Sequence, residues 1–271
     1  SIGPGGPLTG RLRVPGDKSI SHRALLLNGM ARGKARVRGL LEAADVLSTG
    51  HCLRQLGVHG EVRGNEIIVT GCAGRFTEPS GPLDCGNSGT SMRLLAGAIA
   101  SQDLSAVLTG DESLQARPMD RITVPLGQMG ARLDGRDGGR LPPLTVRGGD
   151  LKAITWDNPV ASAQVKSCLV LASLGARGTL RFREPHPSRD HTERMLKAMG
   201  VTLDLRDGWL EVQGGQVPEA ADVDVPADIS SAAFFLVAAS IVPGSDLVLE
   251  GVGINPTRTG GIDALVAMGA D

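Results

Sequence analysis

Met199-Gly200-Val201, a polar stretch, then Leu210-Glu211-Val212-Gln213-Gly214: this arrangement decides the fold, because the chain repeats it. Leu56-Gly57-Val58 precedes Ile67-Ile68-Val69-Thr70-Gly71, and Met129-Gly130-Ala131 precedes Leu144-Thr145-Val146-Arg147-Gly148. Met268-Gly269-Ala270-Asp271 opens a fourth copy. The four glycines recur about every seventy residues, a spacing that signals a repeated structural unit. Each glycine follows an amphipathic segment such as Thr192–Met199, where a helix ends on a left-handed residue. The two short apolar runs after it, split by Gly, Asn or Asp, predict a β-hairpin.

The other half of each unit repeats as well. Ser19–Ala31, Asn87–Ala100, Ser162–Leu174 and Asp228–Val242 read as apolar helices with polar first turns. An extended segment such as Gly10-Arg11-Leu12-Arg13-Val14 precedes each. One unit therefore reads strand, helix, strand, helix, hairpin, and units of this kind bury their faces against one another. The expectation is an α/β fold of three βαβαββ units packed around a pseudo-threefold axis. A fourth unit is begun, and the end at Asp271 reads as a truncation.

The unusual residues of every unit fall at the start of its first helix. They are Lys18-Ser19-Ile20-Ser21-His22-Arg23, Gly86-Asn87-Ser88-Gly89-Thr90, Ala161-Ser162-Ala163-Gln164 and Asp228-Ile229-Ser230-Ser231. A helix N-terminus offers unpaired N–H groups and the positive end of the dipole, so it suits an anion. Serine, asparagine and aspartate there are also ordinary caps, and Asp228 reads as one. Capping does not explain Lys18 and Arg23, which oppose the dipole. Nor does it explain Gln164, or Gly89, which lets a ligand approach the backbone. With Arg117 nearby, three convergent helix starts predict a pocket for a small molecule carrying several negative charges.

Composition narrows the partners. A chain of 271 residues holds one or two domains. A net charge of −1 gives no field for nucleic acid or a membrane surface. Four Phe, two Trp and no Tyr make a poor base-stacking platform. Cys52, Cys72, Cys85 and Cys168 show no metal-ligand spacing, so no metal is expected, and they read as reduced thiols of a cytoplasmic protein. No apolar run approaches the ~20 residues of a membrane span. His186 and His191 read as surface residues, with support of Arg189 the alternative for His191, His22 as pointing away from ligands, and Lys166 as either site-facing or solvated.

The same motifs carry a resemblance. Gly16-Asp17-Lys18-Ser19-Ile20-Ser21-His22-Arg23-Ala24-Leu25, Gly86-Asn87-Ser88-Gly89-Thr90-Ser91-Met92-Arg93 and Gln115-Ala116-Arg117-Pro118-Met119 are joined by Ser162-Ala163-Gln164-Val165-Lys166-Ser167 and Arg189-Asp190-His191-Thr192-Glu193-Arg194-Met195-Leu196. In this order they resemble the enolpyruvyl transferases, in particular the branch acting on shikimate 3-phosphate. The resemblance implies two lobes of three βαβαββ units each, with substrates between them. Residues 17–226 would then be one complete lobe, and residues 1–16 and 227–271 crossings into a second, incomplete one. The rest of that lobe is expected as a covalent or separate partner.

The implied reaction joins phosphoenolpyruvate to the 5-hydroxyl of shikimate 3-phosphate by addition and elimination, with no cofactor. Lys18 is expected to touch both substrates and assist proton transfer. Ser19 and Arg23 would hold the shikimate carboxylate side; Asn87, Gly89 and Arg117 the phosphoenolpyruvate phosphate. Ser162, the Ala163 backbone and Gln164 would bind shikimate 3-phosphate, and Arg189 would clasp its phosphate. Ala163 departs from the serine of many members, with Arg189 expected to compensate. Leu94 replaces a proline of the plant and enteric type, which points to the other bacterial subclass. The family's catalytic carboxylates lie in the second lobe, so a non-catalytic binding lobe or split-enzyme half is the alternative. The UDP-N-acetylglucosamine branch fits poorly: Glu112 stands where it carries a loop cysteine, and Ser19 where it carries asparagine.

Overall fold

The computed structural model describes residues 6–270. The chain enters through strand β1 (Thr9–Leu12). The first unit holds α1 (Lys18–Met30), β2 (Lys34–Arg38), α2 (Ala44–Gln55), β3 (His59–Arg63) and β4 (Glu66–Thr70). The second holds β5 (Leu83–Asp84), α3 (Gly89–Ala100), β6 (Ser105–Thr109), the short α4 (Glu112–Gln115), α5 (Asp120–Met129) and β7 (Arg132–Gly135), then the turn α6 (Arg136–Gly139) and β8 (Leu141–Arg147). The third holds β9 (Thr155–Asp157), α7 (Ala163–Leu174), β10 (Thr179–Arg183), α8 (His191–Ala198), β11 (Leu203–Arg206) and β12 (Trp209–Gln213). Then come β13 (Val223–Asp224), α9 (Ile229–Ile241), β14 (Asp246–Leu249) and α10 (Gly260–Ala267).

The three units share one sheet topology. Their orders are β13-β2-β4-β3, β5-β6-β8-β7 and β9-β10-β12-β11. In each, the first pair is parallel and the other two are antiparallel. The repeated glycines take the expected left-handed conformation, with φ of 88° at Gly57, 106° at Gly130, 80° at Gly200 and 94° at Gly269. An L side chain would be strained at each.

One expectation needs correction. The extended segment before α1 is not the first strand of the first sheet. Thr9–Leu12 instead pairs in parallel with β14, Thr9 opposite Asp246. The place beside β2 is taken by β13, which arrives after the third unit. The cause is local chemistry at Ala221-Asp222-Val223-Asp224. Asp222 accepts hydrogen bonds from the backbone N–H (2.8 Å) and Nε (2.9 Å) of Arg36, and Asp224 from Nη1 of Arg38 (2.9 Å). Inside α1, Asn28 Nδ2 donates to the carbonyl of Ala221 (3.1 Å) and its Oδ1 accepts from the Ala221 N–H (3.0 Å). The end of the third unit thus completes the sheet of the first, and the three units close into a ring.

The core lies where α1, α3 and α7 meet. Leu26, Leu27, Met92, Leu95, Ile99, Leu169, Val170 and Leu171 are all buried, the burial expected of helices covered by neighbours on every side. The closest approach is between α3 and α7: a Cβ built on Gly97 would lie 2.1 Å from the carbonyl oxygen of Cys168. The last segment is packed less fully. On α9 only Ile229 and Ala232 are buried, whereas Phe234 is 79% and Ile241 72% exposed. No described helix is long and apolar enough to cross a membrane.

Candidate functional site

Each unit begins its first helix with a capped turn. Asp17 caps α1 by accepting from the Ile20 N–H (2.8 Å), Ser88 caps α3 through Ser91 (3.0 Å), and Ser162 caps α7 through Val165 (3.4 Å). These caps use one donor each and leave the other first-turn N–H groups of the helix free of intrahelical partners. Asp228 caps α9 in the same manner, accepting from Ser230 (2.8 Å), as its sequence position predicted.

The starts of α3 and α7 are tied together by side chains. Arg93 Nη1 donates to Gln164 Oε1 (2.9 Å) and to the Gly89 carbonyl (3.3 Å), and its Nη2 donates to the Pro118 carbonyl (3.1 Å). Gln164 Nε2 donates back to Thr90 Oγ1 (2.9 Å). Arg117 reaches the Asn87 carbonyl (3.2 Å), the Asn87 side-chain oxygen and Ser113 Oγ (3.2 Å). Asn87 in turn donates to Asp111 (2.7 Å). The result is a cavity of about 270 Å³ lined by Arg93, Arg117, Arg121, Ser162 and Gln164. Burial, and then the nearby Arg117 charge, lower the Arg93 pKa. Such strain between like charges is relieved by an anion. A Cβ on Gly89 would come within 2.6 Å of Arg93 Nη1, so only glycine leaves this guanidinium its place.

The start of α1 faces the third unit. Ser19 Oγ accepts from Arg189 Nη1 (2.7 Å). Burial lowers the Arg189 pKa, with the Arg258 charge adding to it. Lys18 forms an ion pair with Asp45 of α2. Arg23 is not presented at the helix mouth: it is 3% exposed. Its Nε donates to Thr192 (2.6 Å), Nη1 to the Ser19 carbonyl (3.0 Å) and Nη2 to Ser167 (2.8 Å). Burial brings its pKa down to about 10. Three of its five donors are engaged, and they brace the turn that carries Ser19.

Lys166 and His191 differ from their sequence reading, whereas His22 agrees with its own. Lys166 is neither solvated nor open to the cavity. It lies between Glu184 (2.9 Å) and Glu193 (2.8 Å), all three side chains being at most 12% exposed. Burial opposes its charge, but Glu193 and Glu184 outweigh that and raise its pKa. Burial also raises the Glu193 pKa against the pull of Lys166. Glu184 is driven the other way: burial is outweighed by bonds from Lys166 and Ser188, and its pKa falls. His191 is buried rather than superficial, its Nδ1 3.2 Å from Asn255 Nδ2. His22 is buried beneath the first turn and hydrogen-bonded through Nδ1 to Thr49 (2.7 Å).

Sequence reasoning left out Arg121 and Asp45, and it quoted Thr90 and Arg93 in a motif without giving either a role. Arg93 had a legible signal, since it stands four residues after Gly89 and therefore on the same helix face. Asp45 had none, because α2 reaches Lys18 only through the tertiary fold. Among the described residues no group of three His, Cys, Asp or Glu side chains is placed to hold a metal ion.

A ring of three βαβαββ units whose helix starts gather four arginines and a lysine defines an enolpyruvyl-transferase type of α/β protein. A family model described as EPSP synthase (3-phosphoshikimate 1-carboxyvinyltransferase) matches residues 2–271, and the chain belongs to that family. It is 54% identical over 265 residues to the 3-phosphoshikimate 1-carboxyvinyltransferase of Bacillus licheniformis and 52% identical over 264 residues to that of Bacillus cereus. Each alignment takes in 97% of this chain and 62% of the relative. An EPSP synthase structure from Acinetobacter baumannii superposes with a TM-score of 0.92 at 46% identity, covering 99% of this chain and 61% of that one. The chain therefore spans about three fifths of the length of the relatives it matches.

Proposed function

We propose that this chain carries the anion-binding lobe for enolpyruvyl transfer from phosphoenolpyruvate to the 5-hydroxyl of shikimate 3-phosphate. The observation that carries the reading is the bonded chain Arg93–Gln164–Thr90, which joins two helix starts over a cavity lined by three arginines. Phosphates and carboxylates are the ligands such a surface favours. In this reading Arg117, Asn87 and Gly89 take the phosphoenolpyruvate phosphate, with Arg93 beside them. Ser162, the Ala163 backbone and Gln164 take shikimate 3-phosphate, and Arg189 with Ser19 holds its charged groups. Arg23 acts through Ser19. Lys18 exchanges its bond to Asp45 for the reacting oxygens, where its ammonium offsets developing charge and assists proton transfer.

Residues 17–226 form one lobe in this proposal, and a second lobe, continuous or separate, faces it. The exposed Phe234, Val237 and Ile241 of α9 support that part of the reading, since a soluble surface rarely leaves such a stripe bare. The carboxylates beside the site support a division of labour: Asp45 is paired with Lys18, and Asp111 accepts from Asn87 and from the Leu114 N–H. Asp111 is thus engaged as an acceptor, and Asp45 serves as the resting partner of Lys18. The chain by itself is expected to bind shikimate 3-phosphate without turnover. Calorimetric titration tests this: Arg189→Ala and Lys18→Ala should each weaken binding about tenfold or more. Unchanged affinity in both variants sinks the assignment, and steady turnover by the isolated chain sinks the division between lobes.

A further inference from the structure

Glu184 belongs to no helix start, yet it touches two walls of the site. Its Oε2 accepts from the backbone N–H of Ser162, the cap of α7 (3.1 Å). Its Oε1 accepts from the N–H (2.8 Å) and Oγ (2.7 Å) of Ser188, the residue before Arg189, and from Lys166 Nζ (2.9 Å). Lys166 also donates to the Ser188 carbonyl (3.3 Å). All the acceptor capacity of this carboxylate is directed at the loop that ends in Arg189 or at the start of α7. Behind the cluster lies a cavity of about 530 Å³, lined in part by Lys166, Glu184, Ser188 and Glu193 and by the core side chains of Phe182 and Leu210. These bonds tie the loop to the first turns of α7.

We infer that Glu184, with Lys166, is a positioning residue of the anion site: it sets the separation between the α7 N-terminus and the Arg189 guanidinium, so that one phosphate group is gripped by both. This rests on the proposal that Arg189 binds ligand phosphate. A buried ion pair that merely stabilises the fold would behave differently. It would lower the unfolding midpoint and weaken every ligand alike, whereas a spacer acts through Arg189 and only on ligands that carry the phosphate.

The test is a double-mutant cycle read by calorimetry on the whole chain, with shikimate 3-phosphate and with shikimate as ligands. Glu184→Gln should weaken shikimate 3-phosphate binding by about tenfold and leave shikimate binding unchanged. In an Arg189→Ala background the same change should have little further effect, because contributions through one contact do not add. Additive losses, or equal losses for both ligands, overturn the proposal. If Glu184→Gln does not fold, Ser188→Ala removes a single bond of the cluster and should show the same pattern at about threefold. If the unaltered chain binds inorganic phosphate but not shikimate 3-phosphate, the substrate reading falls. The cycle repeated with inorganic phosphate then still decides whether Glu184 acts through Arg189.

Discussion

At the scale of single residues, charge state and space are set by neighbours far away in sequence. Burial, and then the Lys18 and Arg23 charges, bring the His22 pKa from 6.5 down to about 4. The unfolded chain takes up a proton near 6.5 and the folded chain only near 4, so unfolding binds a proton between these values. Stability is full above about pH 6.5 and falls as pH drops towards 4, by up to about 3 kcal/mol from this residue. Urea unfolding at about pH 7 and about pH 4.5 should show a smaller acid loss in His22→Gln than in the unaltered chain. Equal losses would mean that burial does not hold the imidazole neutral. Gly89 offers a second test. A methyl there displaces the end of the Arg93 side chain, not backbone, so Gly89→Ala should leave the melting temperature within about 2 °C. Phosphate affinity should nevertheless fall by about tenfold, measured on the same samples. The residues proposed to bind anions stood out because glycine, serine and cations recur at one place in each repeat. The burial of Arg23 and Lys166 was not legible, because their partners, Ser167 with Thr192 and Glu184 with Glu193, lie 18 or more residues away.

At the scale of elements, the predicted helices and hairpins match closely because each carries its own stop signal. The glycine at 57, 130 and 200 ends a helix in every unit, and the helix starting near residue 87 in sequence begins at Gly89. What no local pattern reveals is how closely two helices approach. Gly97 in mid-α3 would merely lower helix propensity by itself. Against α7 it is the contact point, with backbone 2.1 Å from where a Cβ would stand. Gly97→Ala should therefore destabilise, although alanine favours helix. A loss of about 2–3 kcal/mol is expected from forcing the two backbones apart, seen as a lower denaturation midpoint at unchanged slope. A stabilised variant would show that α3 and α7 are free to separate.

At the scale of the molecule, the ring depends on a bond pair from the last turn of α1. Asn28 is fully buried and binds both polar groups of Ala221, just before β13. Asn28→Ala would leave the half-buried N–H and C=O of Ala221 without this partner, at a cost of about 1–3 kcal/mol. Amide exchange should then quicken at Val225, whose N–H donates to the Arg38 carbonyl (2.9 Å), more than at the β10–β12 pairing. Uniform acceleration would show that the closure is not a separate joint. That closure was illegible in sequence, since Gly10–Val14 has the better strand pattern next to α1 and β13 is only two residues long.

The closure also orders events in time. Strand β2 leaves the ribosome with its neighbours β3 and β4, but its parallel partner is about 185 residues behind. At about 5–20 residues per second, synthesis leaves the edge of the first sheet unpaired for roughly ten to forty seconds. During that interval the second and third sheets complete themselves from local segments. The first unit to be made is thus the last to be finished, and its bare β2 edge is where a chaperone or a second nascent chain has its opportunity.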